Sequence, residues 1–534
     1  MVKKFSMLAL AGLIALPAAA SASGRASASD LERKIEDLSA QLEQLKAQMA
    51  EDDCDACEVV GDLEDRAEAW DLAARFKFYG DFRARHDYYS ADYTDGSTGD
   101  SDSLWTNRFR LNMRVKATEN VEFKARLAMY KAWGMASTPQ GVGGGYPIWD
   151  GNSTRQPSDN ALRVDRAFVN WNNIGGAPFW FSIGRRPTSD GPPAHIRMGT
   201  DQRMATPILY MDWPFDGISV GYAYRWGNEA MGTGRVRFCY GRSFEDGLEN
   251  SYQADTIDDK DFGGISWDVM KKGNRFVNVQ SFMAFNVFNR PTMQDTLTET
   301  MMQDGMPGVM PPIMPQQNLG EILHSSVVYT DKVGSLNFFG VGGWSMTDPN
   351  ANGMFNDYAG MGAAQQMAAM GMSPEQIGGA LAQMGLEGTP HTDSENGYNI
   401  YLGARYDIDS VGLKLGAEWN YGSEYWISMN PGHDDMYQAK LATRGNVYEI
   451  YGIWDMPTGE AISKYAKTFI RLGYQHYDYD YSGSMDWNVR PYDLDDAAQV
   501  NYINMVNQEF TNRGMPTNTV ESADQIYLTF EAFF

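Results

Sequence analysis

Two stretches of the chain alternate strictly between apolar and polar residues. In Gln525–Phe534, Ile526, Leu528, Phe530, Ala532 and Phe534 fall on one side; Gln525, Tyr527, Thr529 and Glu531 fall on the other. In Asn107–Lys116, Phe109, Leu111, Met113 and Val115 oppose Arg108, Arg110, Asn112, Arg114 and Lys116. Successive side chains of a strand point to opposite faces, so each stretch is a ribbon with one apolar side. This period of two holds from Phe76 onward. It predicts sixteen strands, at 76–89, 104–117, 121–133, 161–172, 178–186, 216–226, 234–241, 262–270, 275–288, 321–331, 335–346, 397–408, 411–421, 446–454, 466–480 and 523–534.

The connections between these strands alternate in length. Short ones such as 118–120, 173–177, 271–274, 332–334 and 409–410 are followed by long ones such as 134–160, 187–215, 289–320, 347–396 and 422–445. A soluble sandwich has no reason to alternate in this way. A transmembrane up-and-down antiparallel β-barrel has turns on the periplasmic side and loops outside. Closure is also a physical demand, because lipid cannot hydrogen-bond a backbone N–H or C=O. The expected fold is therefore all-β, a barrel of about sixteen strands at 71–534. In Val411–Tyr421 the predicted lipid face is Val411, Leu413, Leu415, Ala417, Trp419 and Tyr421. Its aromatic end suits the girdle at a membrane interface.

The first residues read differently. Lys3 and Lys4, an apolar run from Met7 to Leu16 and small residues ending Ala20-Ser-Ala22 form the three-part pattern of a secretory signal, cleaved after Ala22 or Ala20. In the 23–70 segment, Leu31, Ile35, Leu38, Leu42, Leu45 and Met49 recur at spacings of four and three, the a and d positions of a heptad. This predicts a short periplasmic coiled coil. So short a coil is marginal alone and needs other contacts between subunits. An acidic connector follows.

Composition narrows the function classes. A net charge of −25 argues against nucleic acid as a partner. Aromatic residues at 13% beside abundant glycine suit a barrel apolar on one side only. Cys54 and Cys57 are spaced for a disulfide in an oxidising compartment, and Glu58 breaks the haem-attachment pattern. The six histidines stand apart, and no nucleophile elbow or phosphate loop is present. No cofactor or metal is expected.

Candidate chemistry lies on the polar faces. Arg83, Arg85, Arg108, Arg110, Arg114, Lys116, Lys124 and Arg126 form a basic ladder along the first three strands. Charge on the lipid face would cost about 2–4 kcal/mol per residue near the midplane, which sends the ladder inward. There it either concentrates anions or pairs with acids such as Asp81 and Glu122; the sequence leaves both open. The third long loop carries Arg185, Arg186, Asp190, Arg197, Asp201 and Arg203 among prolines, a composition suited to folding inward and narrowing a pore. Ser373-Pro-Glu-Gln376 has the pattern of a helix cap. The aspartate-rich stretch 92–102 reads as a solvated loop.

Five features together resemble the Gram-negative outer-membrane porins with an N-terminal periplasmic coiled coil. They are the leader, the 31–49 heptads, Phe78-Tyr-Gly-Asp-Phe-Arg83, Gly184-Arg-Arg-Pro-Thr-Ser-Asp-Gly-Pro-Pro193 and the terminal Phe534. The resemblance implies passive diffusion of small hydrophilic solutes or ions and a third loop that constricts the pore against the basic ladder; a ladder left free of acids would add anion preference. It also implies homotrimers set in outer-membrane lipid and lipopolysaccharide, and recognition of the Phe534 strand by the barrel-assembly machinery. Two other functions remain open from sequence: the barrel sheath of a porin–cytochrome electron conduit, and an outer-membrane barrel enzyme.

Overall fold

The computed structural model describes residues 36–37, 39–41, 75–134, 157, 159–186, 190–199, 207, 209, 215–245, 258–288, 317–430, 439–459, 461, 465–512 and 518–534. The chain divides into two compact units, Met1–Phe76 and Lys77–Phe534. In the first, residues 36–37 and 39–41 are helical. Leu31, Ile35, Leu38, Leu42, Leu45 and Met49, the leader, Cys54 and Cys57 lie outside the described residues.

The second unit is a closed antiparallel barrel of sixteen strands, each bonded to its neighbours in sequence, with β1 closing on β16. The strands are β1 Phe76–Tyr93, β2 Thr98–Lys116, β3 Val121–Ala132, β4 Arg163–Trp171, β5 Phe179–Arg186, β6 Phe215–Arg225, β7 Thr233–Phe244 and β8 Lys260–Lys272. They continue with β9 Arg275–Phe288, β10 Asn318–Val333, β11 Leu336–Pro349, β12 Asn396–Ile408, β13 Leu413–Gly422, β14 Gly445–Asp455, β15 Lys467–Tyr479 and β16 Val520–Phe533. All sixteen predicted strands are present.

The seam is closed through the chain's aromatic end. Gly80 N–H donates to the Phe534 carbonyl at 2.9 Å, and Phe534 N–H to the Gly80 carbonyl at 3.0 Å. The pairing continues through Arg83 opposite Glu531 to Tyr89 opposite Gln525. The Phe534 ring lies against Phe109 with centroids 6.5 Å apart. The two alternating stretches that define the pattern therefore meet across β1.

Alternation decides which side each residue faces. On β16, Gln525, Tyr527, Thr529 and Glu531 are buried inside, while Ile526, Leu528, Phe530 and Phe534 are exposed outside. The same outward set runs on through Ile400 and Leu402 of β12, Leu415 of β13 and Ile450 of β14. A wall apolar outside and polar inside is what a bilayer selects. At the short-turn rim, Gly334 has φ 57 in the two-residue connection from Val333 to Leu336. Such tight hairpins favour residues that tolerate positive φ.

The first hairpin departs from expectation. The stretch predicted as a loop from 90 to 103 is mostly strand, with only 94–97 between β1 and β2. Its residues are polar on both faces, so pairing continues where alternation gives no signal. The long connections contain helices α1 Ala194–Arg197, α2 Tyr358–Ala369, α3 Pro374–Met384 and α4 Ala497–Asn512. At α3, Gln376 N–H donates to Ser373 Oγ at 3.3 Å, and Ser373 N–H donates back to the Gln376 side chain at 2.9 Å. This is the cap expected from the sequence.

Candidate lumen constriction

A sixteen-stranded barrel is wide enough to leave a water-filled channel. Here the polar wall and two long connections crowd that space. The basic ladder is a network of ion pairs. Arg85 donates to Asp87 at 2.8 Å. Arg108 and Arg110 share Asp81 at 3.2 and 2.8 Å. Arg126 pairs with Asp165 and reaches Asp190 at 3.1 Å. Arg114 and Lys124 share Glu122 at 2.5 and 2.7 Å. Arg83 donates to the Tyr130 hydroxyl at 2.9 Å. Lys116 is exposed at the end of β2. Of the two readings open from sequence, pairing with acids describes these contacts.

The connection between β5 and β6 crosses the lumen. Asp190 takes a left-handed backbone with φ 64, which aspartate tolerates better than most residues. It is buried against β2, β3 and β4: its Oδ2 lies 2.7 Å from Arg110, 3.1 Å from Arg126 and 3.6 Å from Arg166. All four residues of α1 are buried, and they meet the far wall. Arg197 donates to Glu449 of β14 at 2.7 Å. Arg405 of β12 donates to the Ile196 carbonyl at 2.7 Å, and Arg471 of β15 to the Arg197 carbonyl at 2.9 Å. Lys467 donates to the Gly199 carbonyl. Further on, Gln280 of β9 donates to the Pro207 carbonyl at 3.4 Å.

The connection between β13 and β14 also turns inward, which sequence reasoning missed. Trp426, Ile427, Ser428, Met429 and Asn430 are almost wholly buried, as are Lys440, Leu441 and Ala442. Trp426 packs on His324 of β10, with ring centroids 5.1 Å apart, and donates to the Leu441 carbonyl at 2.7 Å. Ser428 donates to the Leu209 carbonyl at 2.7 Å, tying the two inward connections together. Ala194, Ile196, Met198 and Leu209 share an apolar cluster with Phe339, Tyr401, Trp426 and Leu441. At the base of this connection burial pushes the Arg444 guanidinium down to about 10. Its donors are satisfied by the Trp426 and Ser482 carbonyls, at 3.3 and 3.2 Å, and by that of Asp486 at 2.5 Å.

The two connections meet in a compact charge cluster. Glu449 accepts from Arg197, from Lys440 at 2.5 Å, from Tyr527 at 2.5 Å and from Gln475 at 3.1 Å. Glu418 accepts from Lys440, from Tyr401 at 2.5 Å and from Tyr451 at 3.2 Å. Two cations balance two carboxylates, and tyrosine hydroxyls supply further donors. Buried charges in this arrangement are held firmly, because removing either sign strands the other.

One further placement differs from the sequence reading. Arg185 shares the outward face with Ile183 and pairs with Asp216 at 3.2 Å, so it stands outside the bore while Arg186 points in. Alternation at a strand end allows only one of two adjacent arginines to face the lumen. Asp201 and Arg203 lie outside the described residues. A hint of the second inward connection was available in Tyr425-Trp-Ile427, an apolar run in an otherwise external loop.

A family model described as "Protein of unknown function (DUF3373)" matches residues 98–534, from β2 to the last residue. The chain belongs to that family. Among solved structures, an in-vitro folded trimer form of OmpT, an outer-membrane protein of Vibrio cholerae, is 10% identical with a TM-score of 0.37. That match covers 86% of this chain and 99% of the other. Salmonella typhi OmpF in complex with daunomycin is 10% identical with a TM-score of 0.38, over 86% of this chain and 97% of the other. No curated protein matches. The barrel rests on its own strand pairing rather than on these distant likenesses.

Proposed function

We propose that this member of the family is a constricted diffusion channel of the Gram-negative outer membrane, passing small hydrophilic solutes or ions. The observation that carries the reading is the path of residues 190–199, bonded to β2–β4 at one end and to β12, β14 and β15 at the other. A segment pinned on opposite walls narrows the bore without closing the sheet around it. The lipid-facing alternation and the closed seam fit a bilayer location. The expected assembly is a homotrimer in lipid and lipopolysaccharide, with the N-terminal segment in the periplasm and the Phe534 strand read by the assembly machinery. Replacing Ile35 and Leu42 with Asp should lower its native mass.

The paired ladder gives the bore little free positive charge, so a weak ion preference is expected in place of strong anion selectivity. Liposome swelling with sugars of rising size tests the channel itself. Swelling by the smallest sugars that falls off steeply with size supports the constriction. Impermeability to every solute, with the barrel folded, overturns the proposal. A sheath around a separate cytochrome is disfavoured, because residues 190–199, 426–430 and 439–442 occupy the space it would need.

A further inference from the structure

The wall formed by β5 to β8 turns more arginines than carboxylates inward among its described residues. The buried arginines Arg85, Arg108, Arg110, Arg126, Arg405 and Arg471 each meet a carboxylate. Arg186 is also buried, at 9% exposure, and meets none among the described residues. Its guanidinium donates to the hydroxyls of Ser182 and, at 2.8 Å, Ser219, and stacks 5.4 Å over the Phe168 ring. Ser219 in turn lies 3.4 Å from the thiol of Cys239, a free, buried cysteine on the neighbouring strand.

Two residues along from Cys239, on the same face of β7, Arg237 donates to Ser266 at 2.8 Å and to Asp268 at 3.2 Å. Asp268 is shared, since Arg235 holds it at 2.7 Å. Among the described residues, three guanidiniums thus face one carboxylate on this wall. Buried donors are left over as well. Arg237 Nε and Trp180 Nε1 are enclosed with no hydrogen-bond acceptor among the described residues. Trp180 sits one rung from Ser182 on the same face of β5, packed over Gly221. Buried N–H groups normally find an acceptor, and buried cations normally find a counter-charge. Here unpaired donors and an unneutralised guanidinium occur together.

We infer that this wall is an anion-binding subsite, in which Arg186 and Arg237 hold one oxyanion group between the Ser182, Ser219 and Ser266 hydroxyls. An oxyanion supplies what the wall lacks, a negative charge with several acceptor lone pairs, and guanidinium groups bind such ligands through paired N–H donors. The shared chemistry covers phosphate, sulfate and carboxylate. Cys239 stands beside the subsite as a built-in reporter. The inference rests on the wall's own residues and does not require the bore to conduct.

The test is equilibrium dialysis of the full-length chain, folded in detergent, against labelled inorganic phosphate, sulfate and acetate in separate arms. Saturable binding of one anion per chain is expected, and the strongest arm identifies the class. Arg186→Gln should weaken it roughly tenfold or more, since a charged donor pair is lost. Arg186→Lys should keep part of it, and Arg275→Gln, on an exposed arginine elsewhere, should leave it unchanged. A gel mobility that shifts on heating checks that each variant is folded. In a Cys54→Ser, Cys57→Ser background, the bound anion should also slow modification of Cys239 by a negatively charged thiol reagent. No saturable binding of any of the three anions to the folded wild-type chain overturns the inference, as does binding that Arg186→Gln leaves intact.

Discussion

The near end of the inward loop meets the wall through the Asp190 carboxylate, and Asp190→Asn removes its charge while keeping its shape. In the wild type this group accepts from Arg110 at 2.7 Å and from Arg126 at 3.1 Å, with Arg166 at 3.6 Å. Arg110 keeps Asp81 and Arg126 keeps Asp165, so the barrel wall stays paired in the variant. What is lost is the anchor between loop and wall. Two buried charge-assisted hydrogen bonds are each worth about 1.5–3 kcal/mol, and the asparagine amide recovers part of that. A net loss of about 3 kcal/mol raises the population with the loop detached by roughly two orders of magnitude. The assay is limited trypsin digestion of the folded barrel. Arg197 is wholly buried in the wild type, so cleavage after it reports detachment. When loop motion is fast, the cleavage rate follows the open population, and a rise of about hundredfold is expected. An unchanged rate after Arg197, in a barrel whose gel mobility still shifts on heating, would refute the anchoring argument.

Other substitutions separate the wall from its contents. Glu449→Gln leaves Arg197 and Lys440 facing one carboxylate in place of two, and should destabilise the folded chain by about 3–5 kcal/mol in urea unfolding from detergent. Leu528→Arg places charge on the lipid face of β16 and should cost about 2–4 kcal/mol of folding into vesicles. Thr529→Val, on the lumen side of the same strand, should insert with normal yield. Arg110→Gln releases Asp81 and Asp190 from a shared cation, so the reversal potential in a KCl gradient should shift toward cation preference. A shift toward anions would show that the ladder is not the balanced network these contacts describe.

The strands were legible because each crosses between lipid and water, and that difference imposes a period of two on the residues between. Tyr527 and Ile526 could be assigned to opposite faces from the sequence alone, and they occupy them. Where the lipid stops, the signal stops, which is why β1 and β2 run on through Asp92 and Asp100 without announcing it. Helix α4 went unseen for a different reason: half of Ala497–Asn512 is polar and its apolar residues are spread around the helix axis, so no single apolar stripe marks it as helical. The lumen was legible only by residue type. That Arg110 faces inward follows from alternation; that it meets Asp190, 80 positions away, is set by where a loop returns. The turn of Trp426 into the bore and the distance of Arg186 from every carboxylate among the described residues are likewise properties of the closed barrel. The apolar run Tyr425-Trp-Ile427 hints at the first, and nothing local marks the second.

The central claim is that a channel exists and that residues 190–199 narrow it. Single-channel recording in planar bilayers tests it directly, comparing the wild type with a variant in which 190–199 is replaced by a short Gly-Ser linker. The account predicts small, steady wild-type openings and a several-fold larger conductance in the variant, with the barrel folded in both. Equal conductance in the two would contradict the constriction, and a barrel silent in both forms would contradict the channel.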